Sequence, residues 1–278
     1  MRTSSWCGAV ALDGVRGFVF DVDGTLVHRA GGEIHVAPGA LAVLDAVRAS
    51  ARPFVLFTNG SHVSPAELAG ELRGAGLPVG DDQLLTPLCG LRAYLERRGD
   101  EGAVLPFLTS AACDYLAASG VPLADTHDRH GVTAVFVGQP GHVDFDLLER
   151  AAGAVLAGAR LLTGSYVPTY AGALGPIFSR GAMVAAAIAK VTGVRPVIVG
   201  KPSRAALRVI RARLRLETRD VAVIGDDVDV DIALGRLGGC RTVLVRSGTS
   251  ATVDPSRVPE TRRPHATVEG VAELLDWL

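Results

Sequence analysis

Four short stretches carry carboxylates, a hydroxyl, an amide and an ammonium where they could act together. In "FVFDVDGTLV", Asp21 and Asp23 stand two residues apart where an apolar run ends, and Gly24 and Thr25 follow directly. Thr58, Asn59 and Gly60 close a second apolar run in "RPFVLFTNG", and Lys201 closes a third in "RPVIVGKPS". In "VIGDDVDVDI", Asp226, Asp227, Asp229 and Asp231 place four acids within six residues.

Two carboxylates at the end of a buried strand repel each other and lose hydration, so something must offset them. A hard divalent cation such as Mg²⁺ does this. It takes oxygen ligands, keeps several waters, and leaves room for a phosphate beside it. The 226–231 loop supplies further acids, although Asp229 also reads as a solvated one. A bound phosphate needs donors, and the Thr58 hydroxyl and the backbone N–H groups after it could face its oxygens. Taken singly, "TNG" is an ordinary turn and Lys201 an ordinary surface lysine. Pro202 and Ser203 read as the opening of a helix.

These stretches must be held by a scaffold. The runs "GFVFDVD", "RPFVLFTNG", "RPVIVGKPS", "DVAVIGDD" and "CRTVLVRSG" read as strands that alternate with helical patterns, as in a parallel sheet covered by helices. Open α/β sheets bind ligands at the carboxyl ends of their strands, where the polar residues lie. Between the second and third runs, "GAVLPFLTS", "GVTAVFVGQP" and "GARLLTGS" read as further strands, with helices over "AACDYLAASG" and "DFDLLERAAGAVLAG". We therefore expect a discontinuous core, residues 1–84 and 179–278, and an α/β unit at 85–178. The Gly- and Pro-rich connector 166–183 reads as a hinge or a passive crossover, and "TVEGVAELLDWL" as a closing amphipathic helix.

DxDGT, Thr-Asn, Lys and GDD, in this order and each at an expected strand end, resemble the haloacid dehalogenase superfamily of phosphatases. The similarity spans nearly the whole chain and points to the NagD-like subclass IIA, which includes 4-nitrophenylphosphatase-like proteins. The resemblance implies a Rossmann-like core with an inserted α/β cap domain. It makes Asp21 the nucleophile, forming an aspartyl-phosphate, and Asp23 the acid that protonates the leaving oxygen and then activates water. Asp23, Gly24, Thr58, Asn59, Gly60 and Lys201 would contact the phosphoryl group. Mg²⁺ would be bound by Asp21, Asp226 and the Asp23 carbonyl, with Asp231 or Asp227 supporting that shell. Asp23 also separates phosphatases of this kind from the haloacid dehalogenases themselves, which lack that acid. One departure lies in the cap. Many relatives carry an Asn-x-Asp segment where this chain has Gly164, Ser165 and Tyr166, which bears on the substrate and leaves the core chemistry untouched. The implied substrate is a small phosphorylated metabolite. A phospholigand-binding protein and a phosphotransferase are the alternatives on this scaffold.

Composition sets outer limits. With 278 residues, 48% hydrophobic and 21% charged, the chain can bury a full core. A net charge of −1 gives no broad attraction to nucleic acid or an anionic membrane, so an anionic ligand must be held locally. No run is apolar enough to span a membrane. Cys7, Cys89, Cys113 and Cys240 lack metal or disulfide spacing and fit a cytoplasmic protein. Caps of related proteins often mediate dimers, which makes a homo-oligomer through the cap an expectation. Other polar signals read as surface: the Arg204, Arg208, Arg211 and Arg215 stripe as a solvated helix face, and Asp125, His127, Asp128 and His130 as a loop. Arg180, His62 and Tyr170 could reach a ligand but read equally well as surface residues.

Overall fold

A four-residue run such as GFVF, apolar at every position, is stable as a strand only with both faces covered. In the computed structural model, which describes residues 12–99, 101–125, 131–170 and 177–278, that is how β1 (Gly17–Phe20) is used. Phe18 and Phe20 enter one apolar cluster and Val19 the other, on opposite faces of the sheet. β1 is followed by the hairpin of β2 (Val27–Ala30) and β3 (Glu33–Val36), α1 (Ala40–Ala49), β4 (Phe54–Phe57), α2 (Pro65–Gly74), β5 (Leu84–Leu85) and α3 (Pro87–Arg98). Next come β6 (Ala103–Phe107), α4 (Ser110–Ala118), β7 (Val132–Val137), α5 (Phe145–Leu156), β8 (Arg160–Thr163), β9 (Thr169–Tyr170), β10 (Ile177–Phe178), α6 (Arg180–Thr192) and β11 (Val197–Ile198). The chain ends through α7 (Arg204–Leu214), β12 (Val221–Gly225), α8 (Ala233–Gly238), β13 (Arg241–Val245), β14 (Ala266–Val268) and a 3₁₀ helix over Val271–Trp277.

Six strands form the main sheet in the order β14-β13-β12-β1-β4-β5, all neighbours parallel. β4 and β12 repeat the alternation of β1: Phe54, Leu56, Ala222 and Ile224 face one cluster, and Val55, Phe57, Val221 and Val223 the other. Each fully buried Phe or Leu contributes about 1.5–3 kcal/mol, so these short strands are held by the layers on either side. Where the main sheet ends, α2 starts under a capping box: Ser64 accepts from Glu67 N, and Glu67 accepts from Ser64 N. Such a cap is worth about 1 kcal/mol and fixes where the loop after β4 stops.

A second sheet, β11-β8-β7-β6, is also parallel. Here the structure differs from the sequence reading. The strand of "RPVIVGKPS" was expected in the core, yet Val197 pairs with Leu162 and Ile198 with Thr163 at the edge of the second sheet. Ala185 and Ile188 of α6 pack with Val135, Val137 and Leu161 of the same layer. Residues 180–198 thus belong by packing with the inserted segment, beyond the expected boundary at 178. The physical reason is that a four-residue apolar run suits either sheet, and α6 presents its small and branched side chains to β7 and β8. The expected C-terminal helix is also replaced: Ala266–Val268 pairs with β13 and only the 3₁₀ segment after Gly270 is helical, burying Val271 and Leu274. Among the described residues, no helix is long and apolar enough to cross a membrane. His127, Asp128 and His130 and residues 171–176 of the connector lie outside the described residues.

Candidate active site

Asp21, Thr58 and Asp226 follow β1, β4 and β12, three adjacent strands, so the fold collects them at one carboxyl edge. Lys201 arrives from a different direction, in the loop between β11 and α7. Its ammonium is almost wholly buried and donates to Asp21 Oδ1 at 2.6 Å and to Asp231 Oδ1 at 2.7 Å. Thr25 Oγ1 donates to the other Asp21 oxygen at 3.1 Å. Asp23 lies at the wetter side, with Arg29 Nε on Oδ1 at 2.7 Å and Thr58 Oγ1 on Oδ2 at 3.2 Å.

The acids are arranged by local backbone devices. A wide helical turn over Val228–Ile232 runs into α8; Asp227 starts it by accepting from Asp229 N at 2.7 Å, and the turn brings Asp231 inward. Asp229 points away and pairs with Arg262, which resolves it as a surface acid. Asp226 accepts from Thr249 N at 2.5 Å in the loop after β13. Gly24 has φ of 91°, and a Cβ there would stand 2.5 Å from Asp226 Oδ2, so the close approach of the two loops requires glycine. The Gly24 N–H bonds to Val27 O at 2.8 Å, so this residue supplies space where a phosphate contact was expected.

One ligand atom from each of Asp21, Asp226 and Asp231 lies within 4.8 Å of the others. Burial pushes Asp21 up to about 7 despite the opposing pull of Lys201, and neighbouring acids add to the rise. Burial, then the Asp21 charge, pushes Asp226 up to about 7, and burial pushes Asp231 up to about 6. Burial opposes charge on Lys201, but the Asp21 and Asp231 carboxylates outweigh it and hold the ammonium above its usual range. Lys201 bonds to Asp21 and Asp231, and Asp226 adds a third carboxylate beside them. An all-oxygen, buried, acidic donor set fits a hard dication, and of Asp227 and Asp231 it is Asp231 that stands in this cluster.

Thr58 and Lys201 line one cavity of about 230 Å³ with Asp21, Asp23, Asn59 and Gly60. Asn59 uses its side chain on Lys201: Oδ1 accepts from Lys201 N at 2.9 Å, and Nδ2 donates to Lys201 O at 3.0 Å. It also donates to Ser165 Oγ at 3.3 Å. Gly60 N donates to Thr58 Oγ1 at 3.0 Å and so orients that hydroxyl. The second layer closes the cavity with Ser165, Gln139 and Tyr170, and His62 lines it from the core. Arg180 is exposed and does not line it. The sequence reading passed over Arg29, Gln139 and Thr249 and gave Thr25 no role.

Residues 18–122 match the family of haloacid dehalogenase-like hydrolases, and residues 198–274 match a second, HAD-hydrolase-like family. The chain is 28% identical to ribonucleotide monophosphatase NagD of Escherichia coli K12 over 94% of its length and 98% of that protein. It belongs to the haloacid dehalogenase-like hydrolases and is similar to the NagD phosphatases. Their shared fold extends over both layers: the solved structure of E. coli NagD superposes with a TM-score of 0.81 at 27% identity, covering 93% of this chain and 98% of that one. Dihydroxyacetone phosphatase of Corynebacterium glutamicum is 27% identical over 93% of this chain and 90% of its own. Asp21, Asp23, Thr58, Lys201 and the acids of 226–231 fall inside the two matched segments.

Proposed function

We propose that this protein is a Mg²⁺-dependent phosphatase that hydrolyses small phosphate monoesters in two steps through Asp21. The observation that carries this reading is the Asp21 carboxylate, buried at the end of β1 between Lys201 Nζ and Thr25 Oγ1 and beside Asp226 and Asp231. A buried carboxylate fixed at both oxygens is pre-oriented for attack, and orientation alone lowers a barrier by several kcal/mol.

In the first step an Asp21 oxygen attacks phosphorus and the bond from phosphorus to the ester oxygen breaks. Asp23 gives that oxygen its proton, and an aspartyl-phosphate is left. In the second step Asp23 takes a proton from water, which attacks the phosphoryl group and frees Asp21. Lys201 and Thr58 donate to phosphoryl oxygens throughout. Asn59 keeps Lys201 in place by holding its backbone at both N and O. Splitting the reaction suits phosphate monoesters, whose uncatalysed hydrolysis calls for accelerations of up to about 10²¹-fold. Mg²⁺, held by Asp21, Asp226 and the Asp23 carbonyl with Asp231 in support, would supply neutralising charge.

The different roles of Asp21 and Asp23 follow from their surroundings. Asp21 is buried with an ammonium, and Asp23 is about a third exposed at the cavity wall, open to solvent for proton exchange. Related proteins named for dihydroxyacetone phosphate, ribonucleotides and 4-nitrophenyl phosphate support a small monoester as substrate. The test is phosphate release from a panel of small monoesters, with and without Mg²⁺, for wild type and Asp21→Asn. Release that depends on both is expected. Undiminished release by Asp21→Asn would overturn the reading.

A further inference from the structure

Arg29 is the cation in the cavity that the two-step chemistry leaves without a task. It projects from the β2–β3 hairpin, about a third of its side chain exposed. Among the described residues its Nε donates to Asp23 at 2.7 Å, while Nη1 stands 3.9 Å from Glu71 Oε2, outside hydrogen-bond reach. A guanidinium has five N–H donors and accepts nothing, so part of the fork remains for a ligand. His62 lies across Glu71, with Nε2 3.9 Å from Oε1, and its Nδ1 meets Gln139 Oε1 at 3.2 Å. Ser61 N donates to the same Gln139 oxygen at 2.7 Å, so this wall is bonded across both layers.

Position defines what this group can meet. Asp23 must touch the ester oxygen to protonate it, and Arg29 is bonded to Asp23 on the outward side. The first heteroatoms beyond the ester oxygen therefore pass within reach of the guanidinium. Arg29 and His62 also line an open surface groove together with Glu71. A hydroxyl or carbonyl oxygen placed there meets free N–H donors of the guanidinium, whereas an alkyl group leaves them unpaired.

We propose that Arg29 is the specificity-determining residue for the leaving group, and that the subsite it forms with His62 and Gln139 selects hydroxyl- or carbonyl-bearing phosphate monoesters over alkyl phosphates. This rests on the phosphatase reading above and names its substrate class. The step selected is unchanged: phosphorus moves from the ester oxygen to Asp21, and the alcohol leaves with the proton from Asp23.

The experiment compares kcat/KM for glycerol 3-phosphate and n-propyl phosphate in the Mg²⁺-loaded enzyme. Wild type is expected to prefer glycerol 3-phosphate over n-propyl phosphate by at least about tenfold, since a site built to bind an oxygen rejects its absence. Arg29→Met should collapse that ratio toward one, and Arg29→Lys should retain part of it. If Arg29 serves only to hold Asp23 in place, Arg29→Met lowers both substrates by one factor and the ratio stays, which overturns the inference while leaving the phosphatase reading intact. A wild-type ratio near one also overturns it. Absence of Asp21-dependent release from every compound instead removes the phosphatase reading, and this inference with it.

Discussion

Removing divalent metal should make the stability of this protein fall as pH rises, and restoring Mg²⁺ should offset part of that fall. Asp21 and Asp226 are pushed up to about 7 and Asp231 to about 6, chiefly by burial, against about 3.9 for an aspartate in an unfolded chain. Between those limits the folded protein binds more protons than the unfolded one, so unfolding free energy decreases with increasing pH. The stability is fully present below about pH 4 and lost as pH climbs through 6 to 7. A single site raised by about 3 units corresponds to about 4 kcal/mol across that window. Mg²⁺ binds the deprotonated carboxylates. At 100 times its Kd it returns about 2.7 kcal/mol, or about 5 °C in melting temperature for a chain of this size. The assay is thermal unfolding of chelator-treated protein from pH 5 to 8, with and without Mg²⁺. Asp226→Asn should flatten the metal-free pH dependence and lose most of the Mg²⁺ response. A metal-free melting temperature that holds or rises up to pH 8, with no gain from Mg²⁺, would refute the charge argument for the trio.

Three substitutions probe how the trio is held. Lys201→Met removes the ammonium from two buried carboxylates; unfolding titrations should show a loss of about 3–5 kcal/mol at neutral pH and less at pH 5, where Asp21 and Asp231 take up protons. Asn59→Ala leaves the Lys201 backbone N–H and C=O without their partner. Denaturant curves should shift by about 1–3 kcal/mol, and kcat should fall by more than KM rises, because Lys201 loses its position. Gly24→Ala forces a methyl group against Asp226 in a left-handed backbone region, so a loss of about 1–3 kcal/mol should come with a weaker Mg²⁺-induced rise in melting temperature.

Most of the core site was legible because each of its residues ends an apolar run. Asp21 after GFVF, Thr58 after FVLF and Asp226 after VAVIG are announced by strands that are buried on both faces and so read as continuous hydrophobic stretches. Asp231 was open against Asp227 because the choice depends on a wide helical turn that no periodicity reveals. Lys201 was recognised, but its strand was given to the wrong sheet, since "VI" followed by Val199 looks the same at the edge of either layer. Arg29 was missed although a signal was present. Gly31 and Gly32, with φ of 60° and 89°, form the two-residue turn of a hairpin, and "VHRA" and "EIHV" flank it. Their polar content hid them from a search for buried strands. Gln139 could not be found from sequence, because its role depends on the second layer meeting the loop after β4.

Placing Lys201 between β11 and α7 changes how the two layers must work together. The chain passes from the second sheet to a helix of the core at the residue that contacts Asp21, and Asn59 of the core grips that residue by its backbone. A shift of the second layer that carries Ser165, Gln139 and Tyr170 must therefore leave Lys201 where it is, or else break two hydrogen bonds and a buried ion pair. Breaking the buried pair alone would cost about 3–5 kcal/mol, whereas Ser165 is held to Asn59 by one bond at 3.3 Å and Gln139 by hydrogen bonds to Ser61 and a contact with His62. Any movement that admits substrate is then confined to the wall that meets the leaving group. The phosphoryl end stays assembled while the discriminating end opens. This division explains how a core with fixed chemistry can be joined to a cap segment as unusual as Gly164, Ser165 and Tyr166 without disturbing the carboxylate trio.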